Sequence, residues 1–479
     1  MTAVRRLVPV PGLFALILAV LILWKIALWL NLPLPTTDGV QSLSHTFSLM
    51  RGQPLLSTLW HNWMPIYQLP YGFSLAAFPL MALLPFGLTH NYFAASLLFA
   101  LAAGAAAWFL VRSNRAADRV TAALAALAVF VYPHLWVMRP ESVTIPLLLV
   151  TLGLIRRAAD PPRPPLLALI GLLIAYAGIA HPLGGLIGTI ALTGAAFERR
   201  WPLRRLFGAY ALIGLFAAAL YLPVVLIDVG QWVENFLGFF TREEPRGLRE
   251  LATAGADAAR FVGWGLPLIV LYGRTLLVDV RRAPNLLIRE GALLLAFSAP
   301  ILLAGAGSYF TYLIVLLVWR LAALPAAGRP PRWLMAALLI VLPAFSHYLP
   351  TIQALENPRY SATVRAALAE VERYAGRTEP GLVWISVRLA LPIADEPYAR
   401  VIANYYQLGR YPEPIPVAPG DVLLTMWEAE LETIRANYAL DPSARIEAII
   451  EPVPGPLTVE SLLRARQPAV GLWRIVPGG

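Results

Sequence analysis

Residues 13–30 read LFALILAVLILWKIALWL, an apolar run interrupted by a single lysine. A run of that length approaches the roughly 20 residues that carry an α-helix through the hydrocarbon of a bilayer. Arg5 and Arg6 precede it, as they would in a secretory signal. The run nevertheless keeps Trp24 and Lys25 and ends without a small-residue cleavage site, so it reads as a retained first helix. Tyr92–Val111 and Trp333–Leu349 are runs of the same kind. Composition agrees. Of 479 residues 58% are hydrophobic and 14% charged, with a mean hydropathy of +0.64, where a soluble domain carries about 25% charged residues. A chain solvated mainly by lipid is implied, and a single soluble core is excluded.

The arginines set the topology. They cluster at Arg5/Arg6, Arg112/Arg115/Arg119, Arg156/Arg157/Arg163, Arg199/Arg200/Arg204/Arg205, Arg274/Arg281/Arg282/Arg289 and Arg329/Arg332. Two apolar spans fit between successive clusters, which lets every cluster face the cytoplasm. The spans predicted are 10–30, 91–111, 120–138, 143–156, 166–181, 183–198, 206–227, 261–279, 286–304, 308–324 and 333–350, about eleven helices. Residues 66–86 are also apolar but contain Pro70, Gly72, Pro79 and Pro85. Counting them as a crossing would put every later cluster outside, so they read as a re-entrant or interfacial segment. A long exterior loop, 31–90, follows the first helix, and the C-terminal part lies outside. The formal charge of +10 is accounted for by topology and anionic lipid, which leaves nucleic acid without support. With no cysteine there is neither a disulfide nor a thiolate metal site.

After Leu349 hydropathy falls. Ser361–Ala375 reads as an amphipathic helix, Leu382–Val387 as a strand, Tyr398–Leu408 as a helix and Val422–Leu424 as a strand. Thr425 and Glu428 form a capping box for a helix through Asn437, and Ile446–Ile450 and Leu472–Val476 read as further strands. The expected architecture is a polytopic α-helical membrane domain, 1–350, with exterior juxtamembrane helices. A small exterior α/β domain, 351–479, follows it.

Chemistry concentrates in the first exterior loop, which holds Thr37-Asp38-Gly39, His45, Arg51, Trp60-His61-Asn62-Trp63, Pro65 and Tyr67. Asp38 stands just past the outer end of the first helix, where nearby apolar surface can tune a carboxylate into a base. The same Thr-Asp-Gly is also an N-cap signal for a helix over 40–50. A second exterior loop, 228–260, carries Arg242, Arg246 and Arg249 beside Glu243 and Glu244. No phosphate-cradling glycine loop, His-Glu-x-x-His or Asp-x-Asp is present, so ATP-driven transport and zinc hydrolysis have no support.

The order of these features resembles the GT-C superfamily of membrane glycosyltransferases, which includes protein O-mannosyltransferases and lipid A aminoarabinose transferases. Asp38 matches the position of that family's catalytic acid, and Asn62 through Gly72 looks like its second juxtamembrane element. Arg139-Pro140-Glu141 resembles its second acidic position. Gly39 stands where the family's Asp-Glu pair would continue, and the Pro-Pro signature of the mannosyltransferases is absent.

The resemblance implies an inverting transferase of the plasma membrane that moves a sugar from a polyprenyl-phosphate donor to an acceptor hydroxyl on the non-cytoplasmic face. The acceptor is a lipid, a glycan or a protein. Asp38 would be the base, and Arg51, His61, Arg139, His181, Arg242 and Arg246 the candidates for the donor phosphate, with Glu141 the second acid. No cofactor is implied, and nothing in the sequence supports a divalent ion. Each candidate has a plainer reading. Arg51 would end the helix 40–50, His61 would anchor at the interface between Trp60 and Trp63, Arg139 and Glu141 would pair with each other, and His181 would occupy a tight turn before Pro182. Two other functions compete: a secondary transporter or lipid flippase, expected to carry midplane polar groups in repeated halves, and a non-catalytic membrane scaffold that presents the C-terminal domain.

Overall fold

The computed structural model describes residues 10–31, 43, 46, 71–114, 118–158, 162–226, 229, 248–281, 283–303, 307–324, 358–375, 383–386, 399–402, 415–416, 418–425, 438–439, 444–454 and 469–477. Among these, twelve α-helices are formed. They are α1 Val10–Asn31, α2 Tyr71–Leu83, α3 Leu88–Val111, α4 Arg119–Phe130, α5 Pro140–Arg157, α6 Pro164–Ala180, α7 Pro182–Glu198, α8 Leu203–Val225, α9 Leu248–Val280, α10 Leu286–Leu303, α11 Leu313–Ala323 and α12 Pro358–Ala375. Short 3-10 turns occupy Pro133–Trp136 and Gly307–Tyr312. Leu88–Val111, Leu203–Pro223 and Phe261–Val280 are long and apolar enough to cross a membrane, and six further helices are apolar but shorter. The predicted span 333–350 lies outside the described residues.

Local chemistry explains the helix ends. Asp118 caps α4 by accepting the Val120 N–H at 2.7 Å. Proline opens α5, α6 and α7, where its missing N–H costs nothing. The predicted loop 228–260 is a loop over less of its length than expected, because α9 begins at Leu248 and its alanine-rich Leu248–Arg260 segment favours helix. The predicted span 308–324 begins as a 3-10 turn and becomes α-helical only at Leu313.

The chain divides into two compact units. Among the described residues, one gathers Val10–Leu23, Tyr71–Ala77 and the helices from Ala94 through Leu324; the other holds Trp24–Asn31, Phe78–Phe93 and the residues from Pro358 onward.

In the first unit the arginines collect at one end of the bundle. Arg156 donates to Ser113 at 3.1 Å, Arg199 to the carbonyls of Ile155 and Ala158, and Asn114 to the Leu324 carbonyl. These bonds join the C-terminal ends of α3, α5, α7 and α11. Arg320 of α11 reaches Glu198 of α7 at 2.6 Å and Glu290 of α10 at 2.7 Å. At the opposite end lie the start of α5, the turn at His181 and the 3-10 turn Gly307–Tyr312. The first turn of α2 belongs there too, since Tyr176 donates to the Gly72 carbonyl at 2.8 Å. Phe73 meets Phe99 eleven residues into α3. The thirteen residues of α2 span about 20 Å.

In the second unit a five-stranded mixed sheet has the order β2-β1-β4-β7-β6. β1 (Val383–Ser386) pairs in parallel with β2 (Ala399–Ile402) and β4 (Val422–Thr425). β7 (Ala469–Val476) pairs antiparallel with β4 and with β6 (Arg445–Pro454). The short strands β3 (Ile415–Pro416) and β5 (Tyr438–Ala439) form a separate pair. α12 buries Val364, Ala367 and Val371. The helix predicted over Tyr398–Leu408 is corrected at Ala399–Ile402, which extends β1 as a parallel neighbour. The Thr425 hydroxyl is engaged within the sheet, accepting the Trp473 indole N–H at 2.9 Å; Glu428 lies outside the described residues.

Candidate functional site at the histidine end of the bundle

Three of the residues singled out in the sequence, Arg139, Glu141 and His181, meet at the end of the bundle opposite the arginines. Arg139 is the N-cap residue of α5, in extended conformation before Pro140. This aims its guanidinium back along the first turn, where Nε and Nη2 donate to the two Glu141 carboxylate oxygens at 3.2 and 3.1 Å. The fork is bidentate, the geometry that fixes a guanidinium most firmly. Glu141 is 1% exposed and Arg139 14%. Its place in the first turn of α5 also lets the carboxylate complement the positive end of the helix. Arg139 and Glu141 therefore do pair with each other, as the plainer reading expected.

His181 is the single residue between α6 and α7, one residue beyond the last helical position of α6 and so outside both helices. Its backbone is extended; its N–H donates to Ala177 at 2.9 Å and its carbonyl accepts from Gly184 at 2.8 Å. The turn is tight because the two helices touch through glycine. A Cβ on Gly185 would stand 2.8 Å from the Gly178 Cα, and one on Gly184 2.9 Å from the Ala177 carbonyl and from Thr144. Close approach through small residues is how helices associate in lipid. The imidazole is buried and lies 4.9 Å from the Tyr309 ring and 5.9 Å from Tyr312, centroid to centroid.

Its Nδ1 is buried and has no hydrogen-bond partner. Burial lowers the imidazole to about 4, only partly opposed by the nearby Glu141 carboxylate and reinforced by Arg139. At neutral pH the ring is uncharged, with one nitrogen unsatisfied in a setting where such a group costs about 1–3 kcal/mol. A ligand atom able to hydrogen-bond there would recover that cost.

Around this trio lie residues that motif reading missed. The hydroxyls of Thr144 and Tyr312 are 3.0 Å apart, and His134 Nδ1 lies 2.8 Å from the Thr311 hydroxyl. The His134 ring meets Trp264 edge-on at 5.2 Å and Tyr132 at 5.9 Å. The one available signal was compositional: Tyr309, Thr311 and Tyr312 put three hydroxyls in four residues at the head of an apolar run. Asp38, Arg51, His61, Arg242 and Arg246 lie outside the described residues. Among the described residues no three His, Asp or Glu side chains group to hold a metal ion. The arrangement offers a buried carboxylate–guanidinium pair, an unsatisfied neutral imidazole and a ring of hydroxyls. That set can grip a phosphate or sugar but holds no strong base of its own.

Along nearly its whole length the chain shares its fold with crystal structures of ArnT from Cupriavidus metallidurans. The structure bound to undecaprenyl phosphate is similar over 97% of this chain and 98% of that one, at 12% identity and a TM-score of 0.58. The apo structure is similar over 96% and 98%, at 13% identity and a TM-score of 0.52. No family model and no curated protein matches the sequence.

Proposed function

We propose that this chain, whose fold is that of a GT-C-like membrane glycosyltransferase, is an inverting transferase that takes a sugar from a polyprenyl-phosphate donor. One observation carries the reading. In a fold shared with a protein crystallised with undecaprenyl phosphate, the paired Arg139–Glu141 and the unsatisfied His181 gather at the end away from the arginines. The positive-inside rule makes the arginine end cytoplasmic, so the histidine end faces outward. Nucleotide sugars are cytoplasmic, and a transferase working on the outer face needs a donor carried across on lipid.

In this reading the polyprenyl tail lies among apolar helices and the phosphate rests at the histidine end. Asp38 takes the proton of the acceptor hydroxyl as its oxygen attacks the anomeric carbon. The bond from that carbon to the phosphate oxygen breaks, the sugar inverts, and the polyprenyl phosphate leaves with one more negative charge. Arg139, oriented by Glu141, offers that charge a fixed cation, and the His181 ring adds a hydrogen bond. Arg51, His61, Arg242 and Arg246 are further candidates for the phosphate from the two exterior loops. The acceptor is a lipid, glycan or protein hydroxyl, the enzyme is a multi-pass protein of the plasma membrane, and the C-terminal α/β part stands on the outer face.

Transfer from a panel of radiolabelled polyprenyl-phosphate sugars in membranes, comparing wild type with Asp38→Asn, tests this. Wild type is expected to transfer label from at least one donor and Asp38→Asn from none. Equal transfer by both would remove Asp38 as base, and no transfer from any donor would remove the function.

A further inference from the structure

At the arginine end, on the flank of the bundle, α6 and α8 run parallel with their N-termini side by side. Gly171 lets α6 approach Leu212 of α8, where an added Cβ would stand 3.1 Å from the Leu212 Cβ. Beside that contact lies a cleft of about 420 Å³ lined by Leu167, Arg204, Arg205, Gly208, Ala211 and Leu212. Its floor is small and apolar, and a Cβ on Gly208 would meet nothing within 4 Å. The helix that forms one wall is barely covered by protein, since only 11% of its most apolar stretch is buried. Lipid is therefore the solvent of this cleft.

Its mouth is strongly positive. Arg204 is exposed and Arg205 half-buried, and neither guanidinium has a hydrogen-bond or ion-pair partner among the described residues. This contrasts with the same end of the bundle a short way off, where Arg156, Arg199 and Arg320 are all committed to protein acceptors. Arg163, exposed at the N-cap of α6, immediately precedes Pro164, which also lines the cleft. Two parallel helix N-termini contribute partial positive charge in the same place.

We infer that this cleft binds an anionic phospholipid, its phosphate held by Arg204 and Arg205 and the first part of an acyl chain laid over Gly208, Ala211 and Leu212. An apolar floor without the arginines would take any lipid, and arginines without the floor would take any phosphate. The combination selects a phosphate joined to a hydrocarbon chain. The site is independent of sugar transfer and would persist if that function were disproved.

The full-length protein in detergent is offered phosphatidylglycerol, phosphatidylcholine with the same chains, or soluble glycerol phosphate, and retained ligand is counted by native mass spectrometry. Wild type is expected to retain phosphatidylglycerol roughly thirtyfold over phosphatidylcholine, given that each of the two arginines near an anionic surface adds about 1 kcal/mol. Arg204→Gln with Arg205→Gln should abolish that preference. Neither residue has a partner to lose among the described residues, so folding is spared. Arg119→Gln with Arg281→Gln removes the same charge from exposed positions elsewhere at this end and should leave the preference intact. Gly208→Leu, which fills the floor, should weaken phosphatidylglycerol retention although every charge remains. Equal retention of the two lipids by wild type, an equal loss in the control pair, or displacement by glycerol phosphate at matched concentration would each overturn the assignment.

Discussion

Arg320 holds Glu290 in a bidentate fork, Nη2 to Oε1 at 2.7 Å and Nε to Oε2 at 2.8 Å, with the guanidinium fully buried inside the helical bundle. Its third nitrogen donates to Glu198 at 2.6 Å, and Tyr272 donates to Glu290 at 2.8 Å. One cation thus ties α7, α9, α10 and α11 together. Removing it leaves the two carboxylates with only the exposed Arg289 as a cation, at 3.6 Å from Glu198 and 3.3 Å from Glu290, and one of them is almost fully buried. Arg320→Met is therefore expected to cost about 3–5 kcal/mol, read as a fall in thermal midpoint in detergent. A variant that melts with wild type would show that the network contributes nothing. Adding Glu290→Gln to Arg320→Met should restore part of the loss, because the worst of the unpaired charge is then gone.

The His181 turn offers a test that does not depend on activity. Burial holds the folded imidazole at about 4 against an ordinary 6.5. The unfolded chain binds a proton between those values that the folded chain refuses, so stability falls as pH drops from 6.5 toward 4 and is unaffected above 6.5. The slope from this one group is at most about 1.4 kcal/mol per pH unit. His181→Phe should flatten that part of the melting profile. Parallel profiles for the two proteins would place His181 in contact with water.

Gly185 predicts a steric effect. With the Gly178 Cα only 2.8 Å from where its Cβ would be, Gly185→Leu must push α6 and α7 apart, at a cost of about 1–3 kcal/mol or more. Gly208→Leu, where the same construction meets nothing, should leave the melting temperature within a degree or two of wild type. A reversed order of the two would contradict the packing described.

For the proposed chemistry, Glu141→Gln keeps the shape of the side chain but loses the charge that fixes Arg139. Transfer is expected to fall by on the order of 100-fold, the usual penalty for a displaced group, and melting to fall as well, because the Arg139 guanidinium loses its buried counter-charge. Undiminished transfer would make the Arg139–Glu141 pair purely structural.

The bundle was largely legible in the sequence. Apolar runs gave the helices, and among the described residues the bonds from Arg156 and Arg199 bring the arginine-bearing ends of α3, α5 and α7 together, as the shared side expected of those clusters requires. The apolar part of 66–86 forms α2, with Pro79 inside the helix. Arg320 and Glu290 were invisible as a pair because Arg320 sits alone within an apolar run thirty residues from Glu290, and only the crossing of α10 and α11 joins them. The same holds for His134 and Thr311, which are 177 residues apart. Ala399–Ile402 was misread because pairing with β1, a tertiary fact, decides the strand there. Arg139 and Glu141 were legible because both halves of the pair lie within three residues of each other.

The most direct measurement is photocrosslinking of the purified protein with a polyprenyl phosphate that carries its diazirine on the isoprene unit next to the phosphate. Labelled peptides are mapped by mass spectrometry. The expected labels fall at the first turn of α5, around Arg139–Thr144, and at Gly307–Tyr312, and excess unlabelled polyprenyl phosphate competes them away. Labels confined to the arginine end, or labelling that no competitor reduces, would contradict a lipid-linked donor at the histidine end.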